Sequence, residues 1–377
     1  MTDKAEDAAR EAQRQADEKL AQRTTLMRPP ARDPGKAPIE HTVEVSELSV
    51  LGPDVFTNTR QPWVPRGARG IYGGTVIAQC LAAAQLTVPD TFLPHSCHCY
   101  FLLAGSGSVP ILYHVERVRD GRSYATRTVQ ARQRGRCIFT TTISFARAGS
   151  GGAVQVRHAA GLPSGLEMPS ARWEEEEEEE EEEEQQQQQQ QQQDADRSPL
   201  QTRQVAHEGM HGAPDQRRCR RWIRCRGRVS EAGGHRAHLS ALAYLSDSNL
   251  INTVARIHRL WRHRVPPERV AGLPEREQRA VRAWCELDSP GTAVEEFVGR
   301  PRVGMIVSLD HSIYFHEPAR VRADEWMFTE MESPWSGDGR GVVMMRIFAK
   351  DGTLLASCVQ EGVVRLSQDG TERAAKM

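Results

Sequence analysis

No apolar run in this chain approaches the roughly 20 residues that a membrane-spanning helix needs, and the N-terminal stretch "MTDKAEDAAREAQRQADEKLAQR" lacks the apolar core of a signal peptide. Asp3, Glu6 and Asp7 also speak against a mitochondrial transit peptide. The cysteines, at 80, 97, 99, 137, 219, 225, 285 and 358, include no CxxC pair and no spacing suited to zinc. Cys137 and Cys358 fall inside apolar strand patterns, where a reduced thiol behaves as a small hydrophobe. Excess charge is lacking too: 49 Lys and Arg against 50 Asp and Glu give a net charge of −1, with no wide basic face for nucleic acid. These absences lead to an expectation of a soluble, non-secreted protein in a reducing compartment, with no metal, no membrane span and no nucleic-acid partner.

Apolar residues are sparse as well. They make up 38% of the 377 residues, and the mean hydropathy is −0.57, low for a chain folded throughout. The polar surplus is concentrated. Residues 1–40 are charged and broken by "RPPARDPGKAP", and read as a tail. Residues 149–216 run through "GSGG", a glutamate tract from Glu174 to Glu184, a glutamine tract from Gln185 to Gln193, and "DADRSPL". Adjacent glutamates repel and neither tract has anything to bury, so a linker is expected there. Two folded units remain, 41–148 and 217–368, the second carrying a helical insertion at about 261–300, followed by a tail over 369–377.

The two units read as versions of one another. The first runs from the helix "GGTVIAQCLAAAQLTV" through "HSCHCYFLLAG" to long strands joined by hairpins; the second runs from "DSNLINTVARIHRL" through "HSIYFHEPARV" to similar strands. Gly135 and Gly352 mark matching turns. One helix that is apolar nearly all round must be wrapped by a sheet, so the expectation is an α+β unit used twice. With the halves aligned, Gly73 stands opposite Asp247, Phe92 opposite Ser308 and Ile143 opposite Gln360. The second copy thus carries three polar groups where the first has none. Asp247, or Ser246 beside it, could be a helix N-cap, but a purely structural cap would be expected in both copies.

The stretches "GGTVIAQCLAAA", "HSCHCYFLLAG", "VERVRDGRSYATRTVQA", "WIRCRGRV", "YLSDSNL", "VSLDHSIYFHEP", "ESPW" with "GRG", and "DGTLLASCVQEGVVR" resemble the acyl-CoA thioesterase II family. The resemblance covers most of both halves and implies a double hotdog fold, each hotdog being a helix wrapped by an antiparallel sheet. It implies hydrolysis of acyl-CoA to free fatty acid and coenzyme A, with Asp247, Ser308 and Gln360 positioning the hydrolytic water. The chemistry of these side chains is suited to that work: Asp247 can take the water's proton, and the hydroxyl and amide groups can fix its orientation. No cofactor is expected beyond the coenzyme A of the substrate, and a homo-oligomer is expected.

Other residues have both a functional and an architectural reading. Gly73 and Gly74 could allow close approach of the coenzyme A chain, or simply a tight helix entry. His95, His98, His311 and His316 titrate near neutrality, but His95 and His311 recur in both halves and read as architectural. The arginines at 117, 119, 122, 127, 132, 134 and 136 could meet phosphates, or be solvated hairpin charges. The insertion at 261–300 departs from the family pattern and could reshape the acyl tunnel. Two other functions compete: a non-catalytic acyl-CoA-binding or interaction protein assembled through the tracts, and a hotdog enoyl-CoA hydratase, for which "SDSNLINTVA" lacks the required histidine. The final triplet, Ala375-Lys376-Met377, has the small, basic and apolar order of a peroxisomal import signal, so a peroxisomal address read by an import receptor is expected, with the cytoplasm as the alternative.

Overall fold

The structure, a computed structural model, describes residues 29–65, 68–170, 173, 198–208 and 212–367. In chain order the first elements are helix α1 (Pro38–Val43), strands β1 (Val45–Glu47) and β2 (Val55–Asn58), helix α2 (Gly73–Gln85), and strands β3 (Phe92–Phe101), β4 (Leu112–Asp120), β5 (Tyr124–Gln133) and β6 (Arg136–Arg147). Then come β7 (Leu200–Glu208), β8 (Arg218–Cys225), and helices α3 (Gly234–Ser246), α4 (Asn252–Ile257) and α5 (Glu275–Asp288). Strands β9 (Val303–Ser308), β10 (Asp310–Phe315), β11 (Met327–Gly337), β12 (Arg340–Ala349) and β13 (Leu354–Leu366) complete the chain. Among the described residues no helix is long and apolar enough to cross a membrane.

Two compact units result: residues up to Ser150 together with Gly227–Tyr244, and Gly151–Arg226 together with the chain from Leu245 onward. In the first unit the strands lie in the order β1-β2-β4-β5-β6-β3, all antiparallel. Strand β5 alternates buried and half-buried side chains along its length, the period-two pattern of a sheet with one face on a core. That core is α2, buried without a break from Gly74 to Leu81. It packs on β4, β5 and β6. Its last residue, Gln85, donates from Nε2 to Ser240 Oγ on α3 at 2.9 Å. A helix that presents apolar side chains all round needs such cover on every side.

In the second unit the order is β10-β13-β12-β11-β8-β7, also antiparallel, and β9 pairs with β13 as well. Helix α4 rests on β8, β11 and β12. The insertion carries helix α5 and two short 3₁₀ turns around a small core of its own, with Trp261, Val270, Val281, Cys285, Val294 and Phe297 buried. Asp288, at the end of α5, accepts from Arg256 Nε at 3.0 Å and from Arg262. Burial alone would raise its carboxyl, but Arg262 and Arg256 outweigh that and hold it below its ordinary value.

The sequence-based boundaries need three corrections. The expected linker over 149–216 contains strand β7, in which Leu200 pairs with Cys225 of β8. It also contains Trp173, which is buried among Trp222, Trp326, Phe328 and Phe348. The low-complexity tracts dominate the composition of this segment and hide the short apolar flanks that dock. Next, the boundary at 217 is displaced, because Gly227–Tyr244 belongs with the first unit. Finally, the tail expected over 1–40 ends earlier: Ala37 and Ile39 are buried, and the Glu40 carboxylate accepts from the Ser230 hydroxyl at 2.6 Å. The Glu and Gln tracts and the Ala375-Lys376-Met377 triplet lie outside the described residues.

Candidate active site

The opening helix of the second half ends, rather than begins, at the acidic residue. Helix α3 covers "GHRAHLSALAYLS", and Asp247 is the first residue beyond it. The chain leaves the helix through Asn249, which adopts a left-handed φ of 58°, a conformation Asn tolerates better than most residues. Ser248 N–H donates back to the Leu245 carbonyl at 2.9 Å, and the buried Arg221 of β8 donates to the Ser248 carbonyl. An arginine on the carbonyl end of a helix is electrostatically favourable. The apolar residues taken for one stripe, Leu250, Val254, Ile257 and Trp261, are all buried, but they span a turn, the short α4 and the start of the insertion. Asp247 is therefore no N-cap.

What lies against Asp247 is strand β13. Gln360, fully buried, donates from Nε2 to Asp247 Oδ1 at 2.7 Å. The same Nε2 lies 3.2 Å from His311 Nδ1, and His311 Nε2 lies 2.9 Å from Ser246 Oγ. These contacts fix the proton positions. An amide nitrogen only donates, so His311 Nδ1 must accept, and the imidazole proton resides on Nε2 and is donated to Ser246. Burial pushes the His311 imidazole down to about 3, so the ring is neutral at physiological pH. The other amide atom, Gln360 Oε1, is buried with no hydrogen-bond partner among the described residues.

Backbone register brings the remaining candidate close. One edge of β13 serves both β9 and β10: Gly362 pairs with Ser308 and Val359 with Ser312, with Leu309, Asp310 and His311 between. Asp310 Oδ1 accepts the Glu361 N–H at 2.8 Å, which secures the step between the two strands. Positions 362 and 360 lie on the same face of β13, so Ser308 is diagonal to Gln360 on that face, about 7–8 Å away with the Cβ atoms somewhat closer. Side chains on Gly362 would not fit, since a Cβ there would come within 2.5 Å of Ile251. That close approach seats the Asp247–Ile251 turn on the strand. Ser308 is half-buried, and among the described residues no hydrogen bond joins its hydroxyl to Asp247 or Gln360.

The structure gives other candidates different surroundings. A Cβ on Gly74 would lie 2.5 Å from the Tyr244 carbonyl oxygen and 2.5 Å from the Tyr72 ring. Packing alone therefore requires a glycine here, in keeping with a tight helix entry; Gly73 opens the same helix and is half-buried. Arg127 is fully buried, donating to Asp120 at 2.5 Å and to Thr87, and Arg117 pairs with Asp54 at 2.7 Å. In the basic stretch of β8, Arg220 pairs with Glu330 at 2.7 Å and Arg218 with Glu332 at 2.5 Å. None of the eight cysteines is in a disulfide, and seven of them are buried. His95 donates or accepts at Ser144 Oγ at 2.8 Å on the neighbouring strand, and His316 meets Ser357 Oγ at 2.9 Å.

Spacing along the chain did not reveal that His311 meets both Ser246 and Gln360. Repetition of the His-Ser pair argued for architecture, and nothing in a linear string shows that one copy points to a helix end and the other to a strand.

An antiparallel sheet holding a helix in each half, with an acid and an amide joined at a helix end, is the architecture of a hotdog-fold hydrolase. Residues 59–146 match the family model of the acyl-CoA thioesterase N-terminal domain, and residues 174–364 that of the C-terminal domain. The chain is 31% identical over 337 residues to acyl-coenzyme A thioesterase 8 of Mus musculus, covering 87% of this chain and 90% of that protein. It is 25% identical over 383 residues to the peroxisomal acyl-coenzyme A thioester hydrolase 1 of Saccharomyces cerevisiae, covering 90% of this chain and 98% of that one. The crystal structure of an acyl-CoA thioesterase II from Mycobacterium marinum superposes with a TM-score of 0.57 at 25% identity, covering 88% of this chain and 99% of its own. The chain belongs to the acyl-CoA thioesterase II family.

Proposed function

We propose that this acyl-CoA thioesterase hydrolyses fatty acyl-CoA through a water molecule activated by Asp247 and oriented by Gln360 and Ser308. The observation that carries the assignment is the 2.7 Å hydrogen bond from Gln360 to the Asp247 carboxylate at the end of α3. That bond holds the carboxylate in place, and the buried Oε1 of the same amide offers an acceptor for one water hydrogen. Asp247 takes the water's other proton as the oxygen attacks the thioester carbon. The tetrahedral intermediate collapses with cleavage of the carbon–sulfur bond, and the proton held by Asp247 passes to the departing thiolate. Neither a covalent acyl-enzyme nor a cofactor is needed for this sequence.

The expected products are free fatty acid and coenzyme A. Release of free thiol from palmitoyl-CoA, followed with a thiol reagent, tests the reading; binding without thiol release would replace it with a non-catalytic acyl-CoA-binding role. The chain acts as a homo-oligomer, and its address is the peroxisome, reached by an import receptor that reads Ala375-Lys376-Met377. A fluorescent protein fused to the N-terminus, compared with the same fusion lacking the last three residues, tests the address. Diffuse fluorescence from both leaves a cytosolic thioesterase.

A further inference from the structure

We infer that His311 is a positioning residue for this hydrolysis: its Nδ1 accepts the second amide proton of Gln360, and this leaves Oε1 as the face of the amide that a water can meet. The inference rests on the reading of Asp247 and Gln360 given above and assigns a task to a residue outside that set. Its basis is geometric. One amide nitrogen serves two acceptors, Asp247 Oδ1 at 2.7 Å and His311 Nδ1 at 3.2 Å. Both N–H groups of the carboxamide are therefore committed to the protein.

The commitment matters because of what an uncommitted N–H would do. Beside a bound water it would donate to a lone pair of the water oxygen. That contact would take up one of the oxygen's two lone pairs, lower its nucleophilicity and leave one water hydrogen without the amide as acceptor, so the water would be held in the wrong sense. With both N–H groups engaged, the amide can only accept from the water, and the lone pair stays available.

Ser246 completes the device. It accepts the His311 Nε2 proton at 2.9 Å and so keeps Nδ1 bare. A proton on Nδ1 would face the Gln360 N–H donor to donor. Complete burial of His311, Ser246 and Gln360 excludes bulk water from substituting for any of these contacts. His311 itself is pushed down to about 3 by burial, so it neither takes nor gives a proton near neutrality. In the first half the same dipeptide does none of this, because His95 is only partly buried and its ring nitrogen meets Ser144.

The test uses the full chain and palmitoyl-CoA. His311→Leu removes the acceptor at similar bulk and should lower kcat by about tenfold to a hundredfold, with KM within about twofold of the parent. His311→Asn returns an acceptor where Nδ1 was and should recover most of that loss. Ser246→Ala, the smaller change, should lower kcat severalfold and serves if His311→Leu does not fold. In a Gln360→Ala background each of these substitutions should have no further effect on kcat, a result that a merely structural role would not produce. Parental kcat in a folded His311→Leu or Ser246→Ala enzyme, no recovery with Asn, or losses that multiply with Gln360→Ala would overturn the inference. Silence of Asp247→Asn and Gln360→Ala would instead sink the reading of the site itself.

Discussion

The two halves of the chain share a helix, a His-Ser dipeptide and a set of hairpins, and differ in what stands at the end of the helix. Helices α2 and α3 are the same length, so the first residue beyond each is the fair comparison: Leu86, 55% exposed, in one and Asp247 in the other. Both ends are tied by a buried arginine, Arg127 to the Thr87 carbonyl at 3.0 Å and Arg221 to the Ser248 carbonyl. The ladder register sharpens the comparison further. Ser96 pairs with Ser144 in the first half, and Ser312 with Val359 in the second. Counting from those pairs, Phe145 rather than Ile143 corresponds to Gln360. Either residue is apolar and fully buried. The scaffold is therefore common property, and the polar groups proposed for catalysis are additions confined to one copy.

Asp247→Asn is the largest expected break in that asymmetry. It should lower turnover on acyl-CoA by at least about a hundredfold, the usual scale for a general base, while the melting temperature is retained. Adding Leu86→Asp to that variant should restore nothing, because Phe145 offers neither an amide nor a tautomer-locked imidazole behind it. Parental turnover in the first variant would reduce Asp247 to a helix-terminal polar residue.

Next in size are Ser308→Ala and Gln360→Ala, each expected to lower kcat by about tenfold or more. Their double variant should fall far short of the product of the two, since both act on one water. Independent, multiplicative losses would mean that Ser308, which has no hydrogen bond to either partner, does other work.

A smaller effect separates the two histidines by pH. His311 is about 3 in the folded chain and about 6.5 unfolded, so between those values the unfolded state binds the extra proton. Its contribution to stability is fully present above pH 6.5 and is lost as pH falls, at up to about 1.4 kcal/mol per pH unit. His95 is also lowered by burial, but it is partly solvated and should contribute a shallower slope. Denaturant midpoints from pH 7 to pH 4 should lose part of their acid slope in His311→Asn and change less in His95→Asn. Equal slopes would contradict the difference in burial.

The smallest expected effect is in the tracts. Removing residues 174–193 should leave activity and melting temperature almost unchanged, since loop length adds little closure entropy. Its flanks are held independently: Trp173 is buried, and the Arg203 guanidinium of β7 lies 4.8 Å over its ring. A substantial drop in melting temperature would show that the tracts themselves pack.

Much of the proposed site was legible in the sequence. Asp247, Ser308 and Gln360 emerged from the family motifs and from the unequal halves, and the structure brings Asp247 and Gln360 into direct contact. The helix they border was misjudged because the apolar spacing of Leu250, Val254 and Ile257 mimics one continuous helical face. "GGHRAHLSALAYL" upstream, with its own glycine entry, carried the signal for the true helix, and Asn249 carried the signal for its end. The docked strand β7 escaped notice for the same reason that Trp173 did, a short apolar flank beside a long polar tract.

What the sequence determined by itself is what depends on local period and composition: strands from alternation, a buried helix from unbroken apolar residues, a duplicated plan from two His-Ser copies, and tracts with nothing to bury. What only tertiary structure decided is direction. Whether a histidine meets a neighbouring strand, as His95 does, or a helix end and an amide, as His311 does, depends on side chains more than forty residues apart in the chain. Hydrogen bonds of that kind are set by how a helix terminus settles on a sheet, and that placement follows from burial summed over the whole unit, with no trace in the spacing of neighbours along the chain.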